Sequence, residues 1–206
     1  MKHINQFITE YIIKKKLDTP IDSEYKYHPQ TKEELIKNIK ELLYKKENDL
    51  NCIDTSAITD MSFLFLNINV IIDNIDVSNW DVSNVTNMRA MFEECMDLDC
   101  DLSKWDVSKV KDMKYMFYNC GNFNCDLSNW DVSNVENMYA MFEGCSKFKG
   151  KGLENWDISK VENISYMFFD CINFDCDLSN WNVNNVKNME HMFYNCNLKN
   201  TPKWYK

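Results

Sequence analysis

The chain has 206 residues, 45% of them hydrophobic, 27% charged and 14% aromatic, with 32 acidic against 23 basic side chains and a net charge of −9. Four glycines and three prolines exclude collagen-like and low-complexity disordered classes, and six tryptophans give too much apolar surface for the chain to stay unfolded. No apolar run approaches the roughly 20 residues that span a bilayer, so no membrane insertion is expected, and the length suits one domain with an appendage.

Residues 1–30 open with Ile4, Phe7, Ile8, Tyr11 and Ile12 on one helical face, followed by Lys14, Lys15 and Lys16 and a polar stretch. This reads as an amphipathic helix and linker. Glu10 interrupts any would-be apolar core of a secretory signal. Without such a signal, nine cysteines, an odd number, point to a reducing compartment, so a cytoplasmic or virion-associated location is expected. Phe7-Ile8-Thr9-Glu10 is also similar to the aliphatic-x-Glu tags that some phage head proteins carry. Residues 31–49 begin with the capping box Thr31-Lys-Glu-Glu34 and place Leu35, Ile36, Ile39, Leu42 and Leu43 on one face, predicting a helix that caps the first of the repeats beyond it.

Residues 50–198 repeat. Trp80, Trp105, Trp130, Trp156 and Trp181 fall 25, 25, 26 and 25 residues apart, each in the same frame, and a degenerate first copy has Ile53 in the tryptophan place. This gives six units, at 50–76, 77–101, 102–126, 127–152, 153–177 and 178–198. In one unit, Leu102-x-x-Trp105-x-Val107-x-x-Val110 matches a leucine-rich-repeat frame with a short strand, and Val110, Met113, Met116, Phe117 and Cys120 recur at helical spacing. The expected fold class is therefore an α/β repeat: a leucine-rich-repeat-like solenoid of six coils, each a short strand plus a short helical segment, with neighbouring strands about 4.8 Å apart. Residues 199–206, with Pro202, Trp204 and Tyr205, are expected to fold over the last coil.

The run Trp80-Asp-Val-Ser-Asn-Val-Thr-Asn-Met88-x-x-Met91-Phe92-x-x-Cys95, nearly verbatim four times more, resembles the BspA-like leucine-rich-repeat proteins, also described as a mycoplasma-type lipoprotein repeat family. The resemblance covers about residues 31–198. It implies a binding module, of the kind found on bacterial or protist surfaces and in phages and large viruses, with no catalytic residues to carry over. No export signal, lipid-attachment cysteine or sorting tail is expected, which would set the chain apart from the surface members. Its heavy use of Asn, Ile and Lys suits an AT-rich genome such as that of a phage or giant virus.

Identical residues at a fixed place in every unit form ladders. Cys95, Cys120, Cys145, Cys171 and Cys196 share one place and Cys100, Cys125 and Cys176 another, without the paired spacing of a zinc site, so they read as small buried hydrophobes. The Met and Trp ladders read as core. No metal and no cofactor is expected. Two aspartate ladders need more explanation, because like charges in a row repel. Asp49, Asp76, Asp101, Asp126 and Asp177 have a turn-like setting in which each carboxylate accepts backbone N–H bonds, with a cation line as the alternative. Asp54, Asp81, Asp106, Asp131 and Asp157, directly after the tryptophan place, are expected to form an acidic strip on the strand face.

Charge partition supports that strip. Residues 50–198 carry 10 basic and 23 acidic side chains, net −13, which favours a basic protein partner and disfavours nucleic acid. The places flanking Met-Phe hold aromatic rings in four units: Phe63/Leu66, Tyr115/Tyr118, Tyr166/Phe169 and His191/Tyr194, with Ala90/Glu93 and Ala140/Glu143 between them. The readings that stay open for these rings are a discontinuous partner-binding patch, or a seal over the convex side or packing against the N-terminal helix. No phosphate loop, nucleophile elbow or His-Glu metal motif occurs, and His3, His28 and His191 are scattered, so no enzyme is expected. The sequence as a whole reads as a non-enzymatic protein-binding module using Asp81, Asp106, Asp131, Asp157, Tyr115, Tyr118, Tyr166, Phe169, His191 and Tyr194. The alternatives are a structural virion or assembly component and a surface adhesin-like protein.

Overall fold

Thr31 opens the one α-helix of the described residues. The computed structural model describes residues 25–66, 68 and 74–206; the amphipathic helix expected around Ile4 to Ile12 and the Phe7 to Glu10 tag lie outside them. Helix α1 runs Lys32–Tyr44. Thr31 Oγ1 accepts the Glu34 N–H at 3.2 Å, and Glu34 Oε2 accepts the N–H of Gln30, one residue before the cap, at 2.8 Å. The helix ends in a Schellman motif: Glu47 N–H donates to Leu42 O and Lys46 N–H to Leu43 O, with Lys46 left-handed at φ 61°. Leu35, Ile39, Leu42 and Leu43 are buried in the same apolar core as the repeats, and Lys32 Nζ reaches Ser62 Oγ at 2.8 Å. Just before α1, Tyr27 pairs with Ile53 in a parallel bridge.

Beyond α1 the expected α/β solenoid of strand-plus-helix coils is overturned. The described residues hold one α-helix, a single 3₁₀ turn at Leu153–Asn155 and no sheet. The helical spacing of Val110, Met113, Met116, Phe117 and Cys120 is produced by consecutive tight turns instead. Met116 N–H closes on Met113 O and Cys120 N–H on Phe117 O, and in each turn the third residue is left-handed: Tyr115 at φ 59° and Asn119 at φ 57°. That is the type II turn pattern, and a right-handed helix cannot run through it. The same two left-handed places recur at Ala90 and Glu94, Ala140 and Gly144, Tyr166 and Asp170, and His191 and Asn195.

A left-handed L-residue costs roughly 1–2 kcal/mol, so the turns need an offset. It comes from the next repeat. The turns point alternate N–H groups the same way, and Met113, Tyr115, Phe117 and Asn119 donate to the carbonyls of Asn137, Tyr139, Met141 and Glu143 at 2.7–3.0 Å. Equivalent residues make the same set of bonds at the neighbouring junctions, from Met88 to Glu94 and from Met138 to Gly144. A helix would spend those donors on its own carbonyls and leave the repeats joined by side chains alone.

The expected strand at Trp-x-Val is also made of turns, with Trp105 N–H closing on Leu102 O and Val110 N–H on Val107 O. Parallel pairing is confined to single-residue bridges, in the repeats chiefly at Asp60, Asn87, Asp112, Asn137, Asn163 and Asn188. Successive repeats nonetheless lie on one another in register. Phe65, Phe92, Phe117, Phe142, Phe168 and Phe193 form one file with ring centroids 5.2–5.8 Å apart and planes within 10°. Burying each such ring contributes about 1.5–3 kcal/mol.

Each tryptophan indole N–H donates to a carbonyl in the preceding unit: Trp80 to Leu50, Trp105 to Val77, Trp130 to Leu102, Trp156 to Leu127 and Trp181 to Leu153, at 2.8–3.3 Å. Trp204 repeats the pattern on Leu178 at 2.9 Å and stacks on Trp181 at 6.3 Å. The C-terminal segment is thus a fragment of one more repeat, laid over the last.

Candidate binding surface

Asx turns account for both aspartate ladders. Asp81, Asp106, Asp131 and Asp157 each accept the N–H of the serine two residues on, through Oδ1 at 3.0 Å, and Asn182 does the same for Asn184. Asp76, Asp101, Asp126 and Asp177 accept from Ser78, Ser103, Ser128 and Ser179 in the same way. A third ladder at the bridge residues, Asp60, Asn87, Asp112, Asn137, Asn163 and Asn188, repeats the bond once more. Asn substitutes freely for Asp in these places because the turn needs only the side-chain oxygen.

Of the five aspartates of the expected strip, Asp54 is half-buried and Asp81, Asp106, Asp131 and Asp157 are exposed, but all stand on turns, since no strand face exists among the described residues. The serine hydrogen bonds hold the carboxyls of Asp106 and Asp157 below the usual range. Asp126 is pulled down to about 2 by Lys151, whose Nζ lies 2.6 Å from Oδ2, and by Ser128. No group of three or more His, Cys, Asp or Glu side chains among the described residues converges to hold a metal ion.

All nine cysteines are free thiols. Cys120, Cys145, Cys171 and Cys196 point Sγ at the carbonyls of Phe92, Phe117, Phe142 and Phe168 in the preceding repeat, at 2.6–3.0 Å. Burial pushes the Cys95 thiol up to about 12 and those of Cys120, Cys145 and Cys171 well above the ordinary value. These are inert packing groups.

The aromatic positions come together more fully than their spacing in sequence implied. Tyr118 lies against Tyr115 at 5.5 Å, Tyr115 against Tyr139 at 5.0 Å, and Tyr139 against Tyr166 at 5.7 Å. Tyr166 meets both Phe169, at 5.7 Å, and His191, at 5.2 Å; Phe169 then stacks on Tyr194 at 4.8 Å. Tyr139 fills the gap left by Ala140. It precedes the left-handed residue instead of occupying its place, which is why a position-by-position reading missed it. The alanine-for-tyrosine exchange at 140, beside a new tyrosine at 139, was the available signal. None of these rings is buried, and Tyr194 is 58% exposed. Tyr115, Tyr118, Tyr139, Tyr166 and Phe169 are half-buried and His191 and Tyr194 exposed, so the row lies at the surface and opens to solvent most fully at its C-terminal end.

Lys114 Nζ sits 5.0 Å from the Tyr115 ring and 4.7 Å from that of Tyr139, and the Arg89 guanidinium 5.3 Å from Phe63, with its Nε buried and without a hydrogen-bond partner. Acidic groups border the row. Burial raises the Glu93 and Glu143 carboxyls, Glu143 further through Asp170, and the Tyr115 hydroxyl is pushed up to about 12 by burial and by Tyr139. The row thus combines ring faces, one cation of the chain's own and a carboxylate margin. Elsewhere, a polar hollow of about 540 Å³ is lined by Asn74, Asp97, Asp99, Asn122, Asn124 and Lys147.

Residues 33–155 and 122–204 match the family described as "Mycoplasma protein of unknown function, DUF285". The chain belongs to that family. This gives the resemblance drawn from the Trp-Asp-Val-Ser-Asn-Val frame its mycoplasma-type footing over nearly all the described residues. No curated protein and no solved structure matches. No helix of the described residues is long and apolar enough to cross a membrane.

Proposed function

We propose that the chain is a non-enzymatic binding protein that engages a protein partner through the aromatic row from Tyr118 to Tyr194, with the acidic groups of the repeats assisting. The continuity of that row across four units, in rings none of which is buried, carries the reading. Contiguous, partly exposed aromatics mark interaction surfaces. Inter-repeat hydrogen bonds fix the row in place before binding, which keeps the ordering cost of association small. Asp81, Asp106, Asp131 and Asp157 enter as a source of long-range attraction for basic partners; their side chains are occupied in turns, and no hydrogen bond or ion pair among the described residues links them to the row.

The test compares affinity capture by the wild-type chain with capture by a Tyr139→Ser, Tyr166→Ser, Tyr194→Ser triple variant, at low and raised salt. The expected result is a defined protein retained by the wild type, released by salt and absent with the variant. Equal capture by both chains, with the variant folded, would end the proposal.

A further inference from the structure

We infer that the C-terminal half of the aromatic row is a receptor for arginine side chains presented by a basic segment of a protein partner. The inference rests on reading the row as a partner-binding surface and adds the chemistry of what it takes.

In the N-terminal half of the row the chain supplies its own cation. Lys114 covers Tyr115 and Tyr139, and in an earlier repeat Arg89 covers Phe63; both cations come from the residue just before the left-handed position. In the last two repeats that place holds Ser165, which is buried with its hydroxyl bonded to Asn163, and Glu190. Among the described residues no cation therefore lies over Tyr166, Phe169 or Tyr194, and the sign of the charge at Glu190 is reversed. Acidic groups border this half of the row as well, although Lys187 and Lys206 share a hollow with Glu190 and His191. Glu143 and Asp170 lie close enough to act on each other, and Asp170 Oδ1 is bonded by Asn195 Nδ2 at 2.7 Å.

The geometry favours a guanidinium over an ammonium. Phe169 and Tyr194 are parallel, with planes 14° apart and centroids at 4.8 Å, and Tyr194 ends that file with its ring exposed. A planar guanidinium can stack on Tyr194 as the next member of the file; an ammonium offers a point charge without a plane. The net charge of −13 on the repeats as a whole attracts basic segments over long range.

The experiment is an NMR titration of the full chain, its tyrosine rings carbon-13 labelled, with a peptide of alternating Gly and Arg. The same peptide with citrulline, a neutral isostere, and with Lys are run alongside. The arginine peptide should shift the Tyr166 and Tyr194 rings, bind at least about fivefold more tightly than the citrulline peptide, and exceed the lysine peptide. Tyr194→Ala should weaken binding by a similar factor. Glu190→Gln, which keeps every ring, should weaken it less but measurably, while Tyr118→Ala should not. Equal binding of arginine and citrulline peptides, or shifts centred on Tyr115 and Tyr118, would overturn the inference. If arginine peptides fail while partner capture still depends on Tyr166 and Tyr194, the arginine receptor falls and the surface reading stands. If they bind at Tyr194 while capture ignores the row, the receptor stands and the surface reading falls.

Discussion

Gly152→Ala should be among the most damaging single-methyl additions in the protein. The unit ending there is one residue longer than its neighbours, and the chain absorbs the insertion with Gly150 and Gly152 left-handed before the 3₁₀ turn. Gly152 has φ +96°, and a Cβ placed on it would lie 2.3 Å from Ser128 N, 2.5 Å from Ser128 Cα and 2.7 Å from Leu127 C. All three atoms are backbone, packed against the glycine, and cannot swing aside. The left-handed conformation costs an alanine roughly 1–2 kcal/mol, and forcing the two segments apart adds about 1–3 kcal/mol. A total of about 2–5 kcal/mol lowers the melting temperature by about 4–20 °C for a chain of this size. Gly121→Ala is the control, because its φ is not left-handed and its nearest neighbour, Ser146 Oγ, is 3.9 Å away. It should leave stability unchanged or raise it by about 0.4–1 kcal/mol. Thermal melts of the two variants side by side decide the matter, and coincident melting curves would refute the claim that close backbone approach fixes this junction.

Trp130→Phe removes the indole donor from Leu102 O, which keeps the Trp105 N–H, so the cost by urea denaturation is that of one hydrogen bond, about 0.5–1.5 kcal/mol; a loss under about 0.3 kcal/mol would show the bond to be incidental. Asp131→Asn should be nearly neutral and Asp131→Ala destabilising by about 0.5–1.5 kcal/mol, because only the first keeps an oxygen for the Ser133 N–H; equal losses would mean that charge, not the turn, matters there. The Asp101, Asp106, Asp126 and Asp157 carboxyls lie below their unfolded values, so their stabilisation is present above about pH 4 and is lost as pH falls through their folded values, about 2 in the case of Asp126. Glu93 and Glu143 work the other way, since their raised values favour the folded state as they protonate; melts between about pH 2 and 7 should show a net fall on acidification, and a flat profile would contradict the turn bonds. Disulfide-exchange titration should find all nine thiols in denaturant but leave Cys120, Cys145 and Cys171 unreacted in the native protein; rapid reaction of all nine in the native state would show that the repeats open.

The sequence alone determined the register. A fixed interval between tryptophans forces like residues into like environments, and it marked which residues are interior: Trp80, Met113, Phe117 and Cys145 are all buried. It also identified the capping residues of α1, because Thr31 and Glu34 act on neighbours a few residues away. The backbone path inside a repeat was not legible. Apolar residues at offsets of three and four mark one face of a helix, but a run of tight turns gives the same offsets, and nothing local separates the two at Tyr115, Ala140 or His191, whose side chains do not announce a positive φ as glycine would. Asn119, Gly144 and Asn195 were the readable hints.

The choice is made by the neighbouring repeats. Only the turn conformation frees alternate N–H groups to bond the next unit, and that gain exists only once the units are stacked. The aromatic row shares this dependence. Tyr139 and Tyr166 become neighbours because two turns in successive repeats set their rings 5.7 Å apart, a relation that belongs to the assembled stack and to neither repeat alone.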